Sequence, residues 1–331
     1  MAKLVAFLVV LLCGNLAAAA SADLISVLEQ LSEGPLARLL DLNIDPPPRT
    51  TGFSTLLPQK SIRLTCTKTR EPRFQEILYG DVNLQRKLNF SLPLTIAIHG
   101  WQERNLSTYS ALTMPYLRFA RNNTNYCLLD WRAYSEFGYQ IAARQSVPLV
   151  AQYLFGFLQN LSLLYFPLES VTLIGFSMGG QIAGLTGKLL PGRIGTIYAL
   201  DPAGPLFSHP VDIGPKRRLD ASDAQYVQVI YTSRYTAGFG KVLAGAQNFL
   251  PNKGYHPQQP CTAKGDGLSD LAGALQCSHR YAVSLFVSSL DPNNPIIGKK
   301  CPTIFGARVC LMPTRDRLGI YAQRIRGDFY L

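Results

Sequence analysis

Residues 170–190 read SVTLIGFSMGGQIAGLTGKLL, and this stretch constrains the fold more than any other. A short apolar run of strand type ends at Phe176, and an apolar pattern of helical spacing begins two to three residues later. The join is Gly-Phe-Ser-Met-Gly. A chain that turns this sharply from strand to helix has no room for a side chain two residues before or after the apex, which accounts for Gly175 and Gly179. Ser177 then stands at the apex with its hydroxyl presented at the end of a strand, where a nucleophile would be held. The five residues alone also fit a glycine-rich loop with an incidental serine. The strand before and the helix after are what favour the strained turn.

The same alternation runs along most of the chain. The segments LPLTIAIHG (92–100), YCLLDW (126–131), IGTIYAL (194–200) and YVQVIYT (226–232) are apolar runs of strand length. QSVPLVAQYLFGFLQNL carries Val147, Val150, Ala151, Leu154 and Phe157 at helical spacing, with Pro148 in the first turn, where a missing N–H costs least. Strands alternating with helices give an α/β fold with a mostly parallel sheet covered on both faces. No internal repeat is present. Upstream, LISVLEQL and PLARLLDL are leucine-rich and helix-like, and the prolines at 46–48 break the pattern. Residues 23–59 therefore read as an N-terminal helix, a pro-segment or a packing arm, and 60–331 as one α/β domain.

The first residues, MAKLVAFLVVLLCGNLAAAASAD, have the form of a secretory signal over 1–22, cleaved near Ala20 or Ala22; its apolar core is short for a membrane anchor. Removal of Cys13 with it leaves Cys66, Cys127, Cys261, Cys277, Cys301 and Cys310, an even set that suits disulfides in an oxidising compartment. Spacing alone does not pair them. No C-x-x-C pair or histidine cluster supports a zinc site. Sequons at Asn89, Asn105, Asn122 and Asn160 agree with secretion. The net charge of +11 comes from scattered Lys and Arg, with no basic block or nucleic-acid motif, so it speaks for solubility or for attraction to an anionic lipid or glycan surface.

A nucleophilic serine needs a base, and the base needs a carboxylate to orient it. After a strand-turn-helix serine the order is acid, then histidine. Of the four histidines, His99 precedes the serine, and His209 and His256 sit in proline-flanked loops. His279, in CSHRYAVSLF, stands at the mouth of a helix two residues after Cys277, and is the candidate base. Asp201, in YALDPAGP, closes a buried strand one unit after the serine, at the carboxyl end where functional groups of open α/β sheets gather. Its other reading is a capping or turn aspartate before Pro202. Oxyanion donors are expected from the N–H of Met178, just after the serine, and from that of Trp101, where the strand ending IHGW turns at Gly100.

Taken together, TIAIHGW, CLLDWR, LIGFSMGGQIAG, ALDPAGPLF, RLDASDAQYVQVI and CSHRYA resemble the pancreatic-lipase-like family, in its insect branch, over roughly residues 60–310. The resemblance implies an α/β-hydrolase fold and esterase chemistry on lipid acyl esters, phospholipid at sn-1 or neutral glycerolipid. It implies Ser177 as nucleophile, Asp201 as acid, His279 as base, and Trp101 and Met178 as oxyanion donors, with no organic cofactor. It places a lid between Cys261 and Cys277, short here, with Leu268, Leu271 and Leu275 as an apolar stripe. It pairs Cys66 with Cys127 and Cys301 with Cys310. RLDASDA resembles a segment that holds structural calcium through Asp220, Asp223 and the carbonyl of Arg218. The chain departs from the pattern at Tyr231 and over 245–252, beside the cleft. Its end soon after Cys310 leaves no room for a C-terminal β-sandwich, so no colipase-like partner is expected. The competing class is a non-catalytic lipid-binding protein of the yolk-protein kind, which would lack the triad.

Overall fold

The computed structural model describes residues 40–41, 46–68, 73–119, 124–262, 268–301, 303–304, 307–308 and 312–331. The strands are β1 (Arg63–Thr67), β2 (Gln75–Ile77), β3 (Leu94–Ile98), β4 (Asn125–Asp130), β5 (Val171–Phe176), β6 (Thr196–Leu200), β7 (Tyr226–Ile230), β8 (Gln247–Leu250), β9 (Ile297–Lys300), β10 (Thr303–Ile304), β11 (Ala307–Arg308), β12 (Thr314–Arg317) and β13 (Gly327–Tyr330). Among the described residues, all but β10 and β11 join one sheet in the order β12-β9-β13-β8-β7-β6-β5-β3-β4-β1-β2. Its centre, from β4 through β13, is parallel, and both ends turn antiparallel.

The centre is parallel because β3, β6 and β7 are apolar on both faces and buried along their whole length. Four longer helices cover them: α1 (Ser107–Phe119), α2 (Val147–Leu163), α3 (Met178–Leu189) and α4 (Leu268–Ser289). One apolar layer packs α2 and α3 through Val150, Leu154, Phe157 and Ile182; the other packs α1 and α4 through Tyr109, Leu112, Ala282 and Phe286. This is the α/β architecture with a mostly parallel sheet expected from the alternation, and the α/β-hydrolase fold that the resemblance implied. The edge strand β12 carries Arg315 and Arg317, charges that discourage pairing with another sheet.

Register places the site. Ile98 lies beside Gly175, Phe176 beside Leu200, and Leu200 beside Ile230, so β3, β5, β6 and β7 end nearly level. The residues that follow each strand therefore meet at one rim of the sheet.

Two local features differ from the sequence reading. Pro148 does fall in the first turn of α2, but the helical run starts upstream at Tyr139 and passes through a π-helical turn, Ala142–Ser146. The wider turn accommodates a proline that a continuous α-helix would resist. His279 is not at a helix mouth: α4 begins at Leu268, and the histidine lies in its interior. The described end of the N-terminal segment packs on the domain. Asp41 accepts the Tyr139 N–H at 2.8 Å, Arg49 bridges Phe137, and the Phe53 ring stands edge-on to Tyr134 and Phe137 at 5.4 and 5.2 Å.

Disulfides join Cys66 to Cys127, across β1 and β4, and Cys261 to Cys277. Cys301 is disulfide-bonded, and Cys310 lies outside the described residues. Asn89 and Asn105 are exposed, Asn122 lies outside the described residues, and Asn160 is half-buried within α2. Among the described residues no helix is long and apolar enough to cross a membrane.

Candidate active site

Ser177 follows β5 with φ 54° and ψ −122°, a conformation a β-carbon resists, and caps the N-terminus of α3. Its neighbours hold it there. The Ser177 N–H donates to the Leu200 carbonyl at 3.1 Å, and the Gly180 N–H donates to the Ser177 carbonyl at 3.0 Å. A β-carbon on Gly175 would lie 2.2 Å from the Gly179 carbonyl oxygen, and one on Gly179 would lie 2.3 Å from that of Ile98. Both contacts are with backbone, so neither can yield cheaply. The two glycines are required for the reason the sequence suggested.

Asp201 and His279 come together beside it. Asp201, fully buried at the end of β6 with φ 42°, accepts the His279 Nδ1–H on Oδ2 at 2.7 Å. That contact leaves Nε2 as the ring nitrogen available for a proton. The imidazole packs on the Phe176 ring, centroids 4.7 Å apart, next to the serine in sequence. Its backbone is also tied to the rim, since the Thr232 hydroxyl donates to the His279 carbonyl at 3.4 Å.

The loop after β3 reaches the same place. A β-carbon on Gly100 would lie 3.1 Å from the Ser177 β-carbon. Among the described residues, neither the Trp101 N–H nor the Met178 N–H has a protein acceptor. Two buried side chains, which the sequence reading left without a role, fix the direction of the first. His99 Nε2 accepts the Trp131 N–H at 3.1 Å, which assigns the ring proton to Nδ1, and Nδ1 donates to the Gly100 carbonyl at 2.7 Å. That carbonyl belongs to the same rigid peptide plane as the Trp101 N–H, so holding one aims the other. Glu103 accepts the Gly100 N–H at 3.1 Å, along with the hydroxyls of Ser107 and Thr108 at 2.9 and 2.8 Å. Burial works against its charge, but these donors and the Arg280 guanidinium at 3.4 Å prevail and hold the carboxyl below its ordinary value. Arg280 adjoins His279 and lies over the Phe176 ring, 5.6 Å from its centroid.

The other site predictions fare differently. Asp223 is buried, and its Oδ2 accepts the Asp220 N–H at 2.8 Å while its Oδ1 pairs with the Lys188 ammonium. Burial outweighs those partners and pushes its carboxyl up to about 6. Asp220 Oδ1 is taken by the Ser222 N–H and hydroxyl, and the Arg218 guanidinium clasps Asp212. Asp220 and Asp223, expected to hold calcium together with the Arg218 carbonyl, thus have carboxylate oxygens engaged by Ser222, by Lys188 and by the Asp220 N–H. Helix α3 presses on this segment closely enough that a β-carbon on Gly187 would meet the Asp223 carbonyl at 2.0 Å.

The stripe expected between Cys261 and Cys277 is only partly described: the side chain of Leu268 lies outside the described set, Leu271 is exposed, Leu275 is half-buried, and Ala274 is the buried residue. Tyr231 and Asn248, where the family pattern is broken, do not face the cleft. They are buried and bonded to each other at 3.2 Å. A separate cleft of about 770 Å³ lies against α4, lined by Pro251, Gln258, Tyr281, Ser284 and Asn294 among others, without Ser177, Asp201 or His279.

A family model described as Lipase matches residues 57–329. Lipase member H of Oryctolagus cuniculus is 30% identical over 224 residues, covering 67% of this chain and 46% of that one. Phospholipase A1 member A of Homo sapiens is 29% identical over 233 residues, covering 70% and 49%. Hepatic triacylglycerol lipase of Oryctolagus cuniculus is 31% identical over 269 residues, covering 76% and 53%. The chain spans about half the length of these curated relatives.

Proposed function

The chain belongs to the lipase family, and we propose that it is a secreted serine esterase that hydrolyses acyl esters of lipids. The observation that carries this reading is the meeting, at one rim of the sheet, of a serine on a strained turn with a histidine whose Nδ1 is held by a buried aspartate at 2.7 Å. In the proposed mechanism the Ser177 hydroxyl attacks the ester carbonyl while His279 Nε2 takes its proton. Asp201 holds the ring orientation and stabilises the imidazolium. The N–H groups of Trp101 and Met178 receive the oxyanion. The imidazolium then protonates the departing alcohol, and a water deprotonated by His279 releases the fatty acid from Ser177. The chemistry calls on no group outside the chain.

The relatives' names include both a phospholipase A1 and a triacylglycerol lipase. By the family resemblance, a short segment between Cys261 and Cys277 goes with hydrolysis of phospholipid, at sn-1, or galactolipid rather than neutral glycerolipid. Two disulfides and a leader-like N-terminus support secretion. The substrate is met at a lipid surface, which the net charge of +11 helps to engage where the lipids are anionic.

The test is fatty-acid release by the purified protein from phospholipid labelled separately at sn-1 and sn-2 and from a triglyceride emulsion, with Ser177→Ala as control. The expected result is sn-1 release, abolished in the variant by about four orders of magnitude. Triglyceride turnover alone moves the assignment to a neutral lipase. No release from any ester, with no labelling by a fluorophosphonate, returns the chain to the lipid-binding class.

A further inference from the structure

Ser233 is fully buried and makes contact with both halves of the acid–base pair. Its hydroxyl donates to Asp201 Oδ2, the same oxygen that receives the His279 Nδ1–H, and its Oγ lies 3.3 Å from Nδ1 itself. Its backbone N–H donates to the other carboxylate oxygen, Oδ1, at 3.2 Å, beside the Thr232 N–H at 2.8 Å. Asp201 therefore has two donors on each oxygen, and Ser233 supplies one to each.

The loop that presents Ser233 is itself locked. The Ser233 carbonyl accepts the Thr236 hydroxyl at 2.7 Å, the Thr236 N–H at 3.1 Å and the Gly238 N–H at 3.0 Å. The turn closes onto the carboxylate so tightly that a β-carbon on Gly238 would lie 2.5 Å from Asp201 Oδ1. Gln258, also buried, donates its side-chain N–H to the Thr232 carbonyl at 3.0 Å and its backbone N–H to Ser278 Oγ at 3.0 Å. The serine is thus fixed from the side of the loop and from the side of α4.

We propose that Ser233 is a positioning residue for the Asp201–His279 pair, its hydroxyl bridging carboxylate and imidazole so that the ring keeps one orientation through the reaction. The physical reason is geometric. The backbone N–H groups of Thr232 and Ser233 fix the carboxylate through Oδ1, but the imidazole is tied to Oδ2 by one hydrogen bond about which the ring can swing. A hydroxyl that meets both Oδ2 and Nδ1 gives the ring a second contact and removes that freedom. The proposal rests on the esterase reading and concerns the step in which His279 carries a proton.

The test uses the full secreted protein and a soluble nitrophenyl ester, with Ser233→Ala, Ser233→Thr and His279→Ala. The expected result for Ser233→Ala is a kcat lower by about tenfold at unchanged KM, with an unchanged melting temperature. Ser233→Thr, which keeps the hydroxyl, recovers most of the rate. A second readout does not need turnover: the low-field proton resonance of His279 Nδ1–H, identified by its loss in His279→Ala, moves in Ser233→Ala. Wild-type kcat together with an unmoved resonance in Ser233→Ala overturns the proposal. A wild-type protein that hydrolyses nothing while the resonance moves in Ser233→Ala removes the esterase reading and leaves the bridge standing.

Discussion

Glu103 shows how much of the site's precision rests on residues that take no part in bond-making. Its carboxylate is committed to the turn that aims the Trp101 N–H, and it is charged while nearly fully buried. Glu103→Gln replaces one acceptor oxygen with a donor facing either the Gly100 N–H or the Thr108 N–H. The expected consequence is a kcat lower by about tenfold to a hundredfold with little change in KM, and an equally slowed fluorophosphonate labelling of Ser177. Labelling at the wild-type rate would mean that the turn holds without it. The residues that the sequence revealed and those it hid differ in the range of their contacts. Ser177, Gly175 and Gly179 announce themselves because the turn that needs them is local. Asp201 could be found because it follows a recognisable strand, and His279 because chain order and its place two residues after Cys277 singled it out, although the helix mouth expected there is the interior of α4. Glu103 meets Arg280 across 177 residues of chain, and Ser233 meets Asp201 across 32. A serine or glutamate carries no mark of a partner that far away, and only the register of four neighbouring strands brings these pairs together. The glycine pair makes the converse point: Gly184 and Gly187 read as poor helix formers, yet they are what lets α3 lie against the segment around Asp223.

At the level of elements, the buried parallel strands were legible because burial on both faces leaves an unbroken apolar run, as in β3 and β6. The antiparallel edges were not. Strands such as β2 and β12 are short and mostly exposed, and their sequences, QEI and TRDR, carry no pattern that a loop would not. The π turn before α2 was equally hidden, since its residues are ordinary helix formers and only the helical run behind them makes the proline unusual. The disulfides staple elements rather than loops alone. Cys66–Cys127 ties β1 to β4 and closes 61 residues of chain, which constrains the unfolded state by about 4 kcal/mol. Replacing both cysteines with alanine is expected to lower the urea midpoint accordingly with an unchanged kcat, because the bridge joins strands two and three places away from the one that ends at Ser177. Loss of activity in the folded variant would contradict that separation.

For the molecule as a whole, Asp223 contributes a pH dependence of unusual sign. Its carboxyl stands near 6 in the folded chain against an ordinary 3.8, so the folded state holds the proton more tightly. The stability it contributes is full below about pH 4 and is lost as pH rises through about 6, by about 3 kcal/mol in all. Carboxyls held low by their partners, such as Glu103 and Asp212, act in the opposite direction: their contribution is full above the ordinary carboxylate range and is lost as pH falls below it. Asp223→Asn isolates the first effect: the difference in melting temperature between wild type and variant should shift against the wild type from pH 4 to 6, and a constant difference would refute it. The Cys261–Cys277 bridge and the continuity of α4 have a consequence for how such a chain can diversify. Helix α4 starts at Leu268, inside the bridged segment, and runs on to His279 without a break. A residue inserted anywhere between Leu268 and Cys277 would turn everything after it by about 100° and shift it by about 1.5 Å, swinging the imidazole away from Asp201. Length can change freely only ahead of Leu268. Descendants of this sequence can therefore vary the bridged segment in length only ahead of the helix, while the rest of it is bound to the rotational phase of His279.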